Sequence, residues 1–259
     1  MRHEGAFAHK AEDTERPHPT LKRWSHLPDR YEPVELSADE QALFQSVLEQ
    51  IEARRTKVLA QTGHADGPFL VLNGEGRSAP LFWCFNSWAE AVILARRLGP
   101  DQPLFALHSF NKITSGLSYK VRLMEPLAQH YAEAILRVAG TDTPAAVGAN
   151  CQAAAIGEAT AHALMRAGAP APLLATLEFM PQRPYPGPLY LMFGEQSDRY
   201  NPFLSDMDPV PGWRRLHTHF DWGFVPGPHG RYFTEPAVGV LAQRIRHAMD
   251  WARTAAGPA

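Results

Sequence analysis

One stretch constrains this chain more than any other: Val147-Gly-Ala-Asn-Cys-Gln-Ala-Ala154. The apolar run Ala145-Ala-Val-Gly148 reads as a short strand that leads straight into Cys151, and the small-residue run from Ala153 to Ala167 reads as the helix that leaves it. A nucleophile-type side chain set between small residues at 149 and 153 is the layout of a nucleophile elbow. There a sharp strand-to-helix turn lifts one side chain above a sheet. Small neighbours are needed because the backbone passes close to adjacent strands and loops. The usual pattern is G-x-S-x-G; here Ala149-Asn-Cys151-Gln-Ala153 carries alanine in place of both glycines. The competing reading makes Cys151 a small buried hydrophobe at a helix start. A helix N-terminus favours the thiolate, which supports the reactive reading.

The flanking pattern supplies a frame for such a turn. From Pro68 onward, strands and helices alternate. Phe69-Leu-Val-Leu72, Pro80 to Phe85, Leu104-Phe-Ala-Leu107, Pro172 to Leu177 and Leu189 to Phe193 read as short apolar strands. Ala89 to Leu98 is a helix stopped by Gly99-Pro100, Met124 to Val138 repeats apolar residues at three- and four-residue spacing, and Glu235 to Ala252 reads as a closing helix. Alternation of this kind predicts the α/β class, a mostly parallel sheet with helices on both faces.

Residues 1–36 are charged, rich in Pro and His and without periodicity, and are read as an extended N-terminal arm. Residues 37–66 are read as an N-terminal helix and linker, and 67–259 as the α/β domain. Ser37-Ala-Asp-Glu40 has the form of a capping box, and Leu43, Phe44, Val47, Leu48 and Ile51 follow on one helical face. That stripe is expected to pack on the main domain, with dimerisation or partner docking as its other uses. A net charge of −2 gives no electrostatic reason for a nucleic-acid or anionic-membrane partner. No apolar run approaches the ~20 residues of a membrane span. Met1 to Lys10 carries no apolar signal core, so a cytoplasmic protein is expected. Its two cysteines, Cys84 and Cys151, cannot make a disulfide framework or a metal cluster, and no metal is expected.

The order of motifs carries a resemblance. Pro80-Leu-Phe82, Leu94-Ala-Arg-Arg-Leu-Gly-Pro-Asp-Gln-Pro-Leu104, the helix from Met124 and the elbow at Cys151 follow one another. Val225-Pro-Gly-Pro-His229, Glu235-Pro-Ala-Val238 and Leu241-Ala242 come late. Over about Pro68 to Ala252 this series resembles the thioesterase domains of nonribosomal-peptide and polyketide assembly lines, which have the α/β-hydrolase fold. The resemblance implies that Cys151 is the nucleophile and His229 the general base; His217 and His219, in a strand-like segment, are weaker candidates. The orienting acid has two claimants. Asp198 follows the strand ending at Phe193, where many α/β-hydrolases place it. Glu178 ends the strand at Leu177, where assembly-line thioesterases often carry an aspartate. The loop placement favours Asp198. The oxyanion hole is expected to use the backbone N–H of Gln152 and a second donor near Ser87, although Phe85-Asn-Ser-Trp-Ala89 departs from the family's His-Pro and glycine loop. The family's helical lid has no room between Glu178 and Pro188, so the lid insertion is expected to be absent or very short, and the helix after Ser37, the N-terminal arm or Trp88 is left to cover the site.

What the resemblance implies is acyl transfer through a Cys151 acyl-enzyme. The substrates would be small acyl or aminoacyl thioesters on an acyl or peptidyl carrier protein, or on CoA, in secondary metabolism. No cofactor is expected beyond the carrier's phosphopantetheine tether. Hydrolytic release or editing, and a non-catalytic scaffold that binds a carrier protein, are the other two readings.

Overall fold

Short apolar runs separated by turn residues assemble into one sheet. The structure, a computed structural model, describes residues 32–59, 63–113, 117–181, 183–205 and 207–255. Most of the expected N-terminal arm, residues 1–31, lies outside the described residues. The strands are β1 (His64–Asp66), β2 (Phe69–Leu72), β3 (Leu81–Phe85), β4 (Leu104–His108), β5 (Ala146–Asn150), β6 (Leu173–Leu177), β7 (Leu189–Gly194) and β8 (Phe220–Val225). Their spatial order is β1-β2-β4-β3-β5-β6-β7-β8. β1 pairs antiparallel with β2 and β2 with β4; every pairing from β4 to β8 is parallel. This is the α/β-hydrolase order, and β3, β6 and β7 are buried along their whole length, as strands covered on both faces must be.

The helices are α1 (Ala38–Leu59), α2 (Trp88–Leu98), α3 (Leu117–Ala139), α4 (Ala154–Arg166), α5 (Val210–Leu216) and α6 (Ala237–Ala255). α3 packs on α4 and α2 on α6. The parallel register brings the carboxyl ends of the central strands to one edge: Phe85 lies opposite His108, Cys84 opposite Ala149, and Asn150 opposite Leu177. In an open parallel sheet that edge is where ligands bind.

The capping box at the start of α1 is formed, with Ser37 N donating to Glu40 Oε2 at 2.8 Å and Glu40 N to Ser37 Oγ at 3.3 Å. Val47 and Ile51 join the main core, and the buried Arg55 guanidinium donates to Phe69 O at 2.9 Å and to Gly67 O. The helix therefore packs on the domain. β1 pairs with β2, so the sheet begins at His64, a little before the expected domain start at 67.

Three further differences have local causes. α3 begins at Leu117 and runs through Pro126, seven residues ahead of the apolar repeat that marked it. α5 was not anticipated, because Val210-Pro-Gly-Trp-Arg-Arg-Leu216 contains proline and glycine in its first turn; proline is well tolerated there. The segment with His217 and His219 lies between α5 and β8 and is not strand. Between β6 and β7 lie residues 178–188 alone, with Phe179, Met180 and Tyr185 turned inward and Tyr185 Oη donating to Pro172 O at 2.6 Å. The lid insertion is thus very short. Among the described residues no helix is long and apolar enough to cross a membrane.

Candidate active site

Cys151 has φ 50°, the left-handed conformation, directly at the end of β5. A non-glycine residue held there costs on the order of 1–2 kcal/mol, and such strain gathers at functional sites. Packing on both sides enforces the turn. A Cβ at Gly148 would overlap the Trp83 ring, and one at Gly157 on α4 would come within 2.8 Å of Ala149 Cβ. Alanine at 149 is therefore accommodated because the facing helix supplies a glycine. Trp83 Nε1 donates to Asn150 Oδ1 at 3.1 Å and fixes the residue before the nucleophile. The 3₁₀ turn Cys151–Ala153 then opens into α4.

Glu178, the residue after β6, is also left-handed, at φ 62°, and its side chain is fully buried. It accepts hydrogen bonds from Gly194 N on Oε1 at 2.9 Å, from Ser197 Oγ on Oε2 at 2.7 Å and from His229 Nδ1 on Oε2 at 2.8 Å. A carboxylate has no proton to give, so Nδ1 must carry the imidazole hydrogen and Nε2 is left as the acceptor. The Tyr200 ring stacks on His229 with centroids 4.4 Å apart, holding the imidazole plane. The acid beside His229 is therefore Glu178. Asp198 is exposed and is not brought to the histidine, because the turn after β7 points it outward while its neighbour Ser197 turns in to Glu178. His217 is buried elsewhere, accepting from Tyr185 N at 3.3 Å, and burial pushes its pKa down to about 4. His219 contributes its backbone oxygen to Leu189 N at the foot of β7. Neither reaches Cys151.

Cys151, Gln152 and His229 line one cavity of about 190 Å³, together with Asn86 and Asn111 from the loops after β3 and β4 and Glu90 from the first turn of α2. Gln152 follows the nucleophile at the start of the helical turn, where backbone N–H groups lack intrahelical partners. The loop after β3 differs from expectation. Ser87 is the N-cap of α2, its hydroxyl accepting from Ala89 N at 3.3 Å, and Asn86 takes the place on the cavity wall. Asn86 N donates to Glu90 Oε2 at 3.2 Å, so this N–H is committed to a carboxylate. Trp88 is buried against the His108 ring and does not line the cavity.

A network ties these parts together. Asn86 Nδ2 donates to Asn150 O at 3.0 Å, Ser109 Oγ to Asn86 Oδ1 at 2.8 Å, Asn111 Nδ2 to Asn86 O at 3.1 Å and Asn150 Nδ2 to Glu90 Oε2 at 3.3 Å. Asn86, Asn111 and Glu90 were not singled out in the sequence. The available signal was positional, since Asn86 and Asn150 lie at the carboxyl ends of adjacent parallel strands.

The electrostatics overturn one expectation. The helix start does not leave a thiolate at Cys151: burial, then the nearby Glu178 and Glu90 carboxylates, push the thiol well above its ordinary pKa. The resting group is S–H, and it needs a base at the moment of attack. Cys84 is buried within β3, and burial pushes its thiol up as well.

No protein-family model and no curated protein matches this chain. Solved structures do. The thioesterase domain of NocB from the nocardicin cluster superposes with a TM-score of 0.55 over 71% of this chain and 100% of its own, at 19% identity. The thioesterase domain SrfTE, which cyclises the lipopeptide antibiotic surfactin, gives 0.51 over 73% and 99%, at 11% identity. The chain has a thioesterase-like fold. YbtT, a type II thioesterase from the yersiniabactin pathway, gives 0.50 over 68% and 95%, at 16% identity. At such identities the likeness speaks for the fold, and the chemistry of the site is argued from its own residues.

Proposed function

We propose that the chain transfers acyl groups from thioesters through a Cys151 acyl-enzyme, with carrier-protein-bound or CoA-bound acyl or aminoacyl thioesters of secondary metabolism as substrates. The observation that carries this reading is the left-handed Cys151 at the end of β5, in one cavity with a His229 whose Nδ1–H is held by buried Glu178. The proton of Cys151 Sγ passes to His229 Nε2 as sulfur bonds the thioester carbon. The oxyanion is held by the Gln152 N–H. The carbon–sulfur bond to the carrier then breaks, and His229 returns its proton to the departing thiolate. An acceptor thiol repeats these steps in reverse and leaves Cys151 as S–H. Because the intermediate is itself a thioester, exchange onto another thiol is nearly balanced in energy. The short link from 178 to 188 suits a small acyl group better than a long one that must fold within a lid chamber.

Hydrolysis is the second reading, favoured by one observation: the His229 side chain is 42% exposed, so water can reach the base. The test is the lifetime of the acyl-enzyme with and without a carrier-protein thiol. Transfer predicts an adduct that persists in buffer and discharges when the carrier is added. Rapid discharge to free acid in buffer alone would make the protein a releasing or editing thioesterase.

A further inference from the structure

Glu90 has no part in the proton path described above, yet its carboxyl group lines the same cavity as Cys151 and His229. It sits in the first turn of α2 with Oε2 pinned by Asn86 N and by Asn150 Nδ2, and Asn150 is the residue immediately before the nucleophile. The carboxyl is thereby fixed relative to the sulfur, and its charge is one of those that hold the Cys151 thiol protonated. No lysine or arginine lines this cavity among the described residues, and the basic side chain on its wall, His229, is already engaged by Glu178. Burial pushes the Glu90 pKa up; the hydrogen bonds from Asn150, Asn86 and the Ser87 backbone offset this in part, and the one cation that adds to them, Lys112, is an exposed residue off the cavity wall.

A partly buried carboxyl group that faces a cavity without a cation is complementary to a ligand that brings one. We infer that Glu90 recognises a substrate ammonium group, so that the acyl group presented to Cys151 is a small α-aminoacyl group. The inference rests on the acyl-transfer reading for the location of the acyl group, and it narrows the substrate class within that reading. An α-ammonium is attached one carbon from the thioester carbonyl, so an acyl carbon at the sulfur places the charge within the same small cavity. A neutral acyl chain would leave the carboxyl group desolvated with nothing in return, which is a penalty against it.

Two unreactive stand-ins test this on the wild-type chain: alanyl- and propionyl-pantetheine amide, in which N–H replaces the thioester sulfur. Their affinities are compared by titration calorimetry at pH 7, where Glu90 has to discriminate a charged from an uncharged acyl group. The expected result is alanyl binding about tenfold tighter or more, the usual scale of one charge-assisted hydrogen bond. Glu90→Gln, which keeps the size and an acceptor oxygen for the Asn86 and Asn150 contacts, should bring the two affinities together. Equal affinities in the wild-type chain, or a preference that survives Glu90→Gln, would overturn the inference. The amides cannot acylate a thiol, so this result is independent of whether Cys151 forms a thioester. A chain that prefers the alanyl amide but never acquires an acyl adduct would refute the transfer reading while upholding ammonium recognition.

Discussion

Replacing Glu178 by glutamine changes one oxygen into an NH₂ group inside a site that is otherwise filled. Glutamine occupies the same volume and inherits the same φ of 62°, so backbone strain is unchanged between the two proteins. Its remaining oxygen can still accept from Gly194 N, which now holds Oε1 at 2.9 Å. The NH₂ group then meets His229 Nδ1–H and Ser197 Oγ, the two donors now sharing Oε2 at 2.8 and 2.7 Å. Two N–H groups cannot face each other, so the imidazole must move its hydrogen to Nε2, the atom needed to accept the thiol proton. A charge-assisted hydrogen bond of about 1.5–3 kcal/mol is lost. At about 1.4 kcal/mol per decade this is roughly a 10- to 10²-fold loss in acylation rate. Asp198→Asn serves as the control, because an exposed carboxylate away from His229 should change the rate by no more than about twofold. The assay is the rate of Cys151 acylation by an acyl-pantetheine thioester, followed by intact mass, with thermal melts to confirm folding. If Asp198→Asn slowed the reaction as much as Glu178→Gln in two folded proteins, the assignment of the orienting acid would be wrong.

Three further outcomes are expected. His229→Ala should slow acylation by about 10²-fold or more, because the resting thiol keeps its proton and loses the imidazole that takes it; His217→Ala slowing it equally would contradict this. His162 and His217 have pKa values pushed down to about 4 by burial, so the unfolded chain binds more protons than the folded one between the ordinary histidine value and pH 4. Stability should therefore be flat near neutrality and fall as pH drops through that window, as denaturant midpoints would show; a midpoint that rises on acidification would contradict the burial of both rings. Gly148→Ala should cost about 1–3 kcal/mol through overlap with Trp83, lowering Tm by roughly 2–4 °C per kcal/mol, and an unchanged Tm would mean that β5 does not cross the indole as described.

The α/β class, the elbow at Cys151 and the order of motifs were legible because each rests on local pattern. An apolar strand followed by a small-residue helix allows few other turns, and the capping box at Ser37 and Glu40 is complete within four residues. The acid was not decidable in the same way. Asp198 and Glu178 both follow a strand, and only the three-dimensional turn after β7 shows that Ser197 points inward and Asp198 outward. Glu90 was hidden for a related reason: it reads as an ordinary acidic residue in the first turn of a helix, and its role depends on a contact with Asn150, sixty positions away in sequence. The thiol's protonation followed neither from the helix start nor from residue type. It follows first from burial of the sulfur, and then from two carboxylates, Glu178 after β6 and Glu90 in the first turn of α2, that the fold brings to the same strand edge.

The proposed chemistry depends on one bond, that between an acyl carbon and the sulfur of Cys151. Incubating the protein with an acyl-pantetheine thioester and weighing the intact chain should reveal a single acyl adduct. Peptide mapping should place it on Cys151, with the adduct absent from Cys151→Ala and kept in Cys84→Ala. An adduct that survives Cys151→Ala, or turnover of the thioester by that variant at the wild-type rate, would contradict the nucleophile on which the proposed chemistry depends.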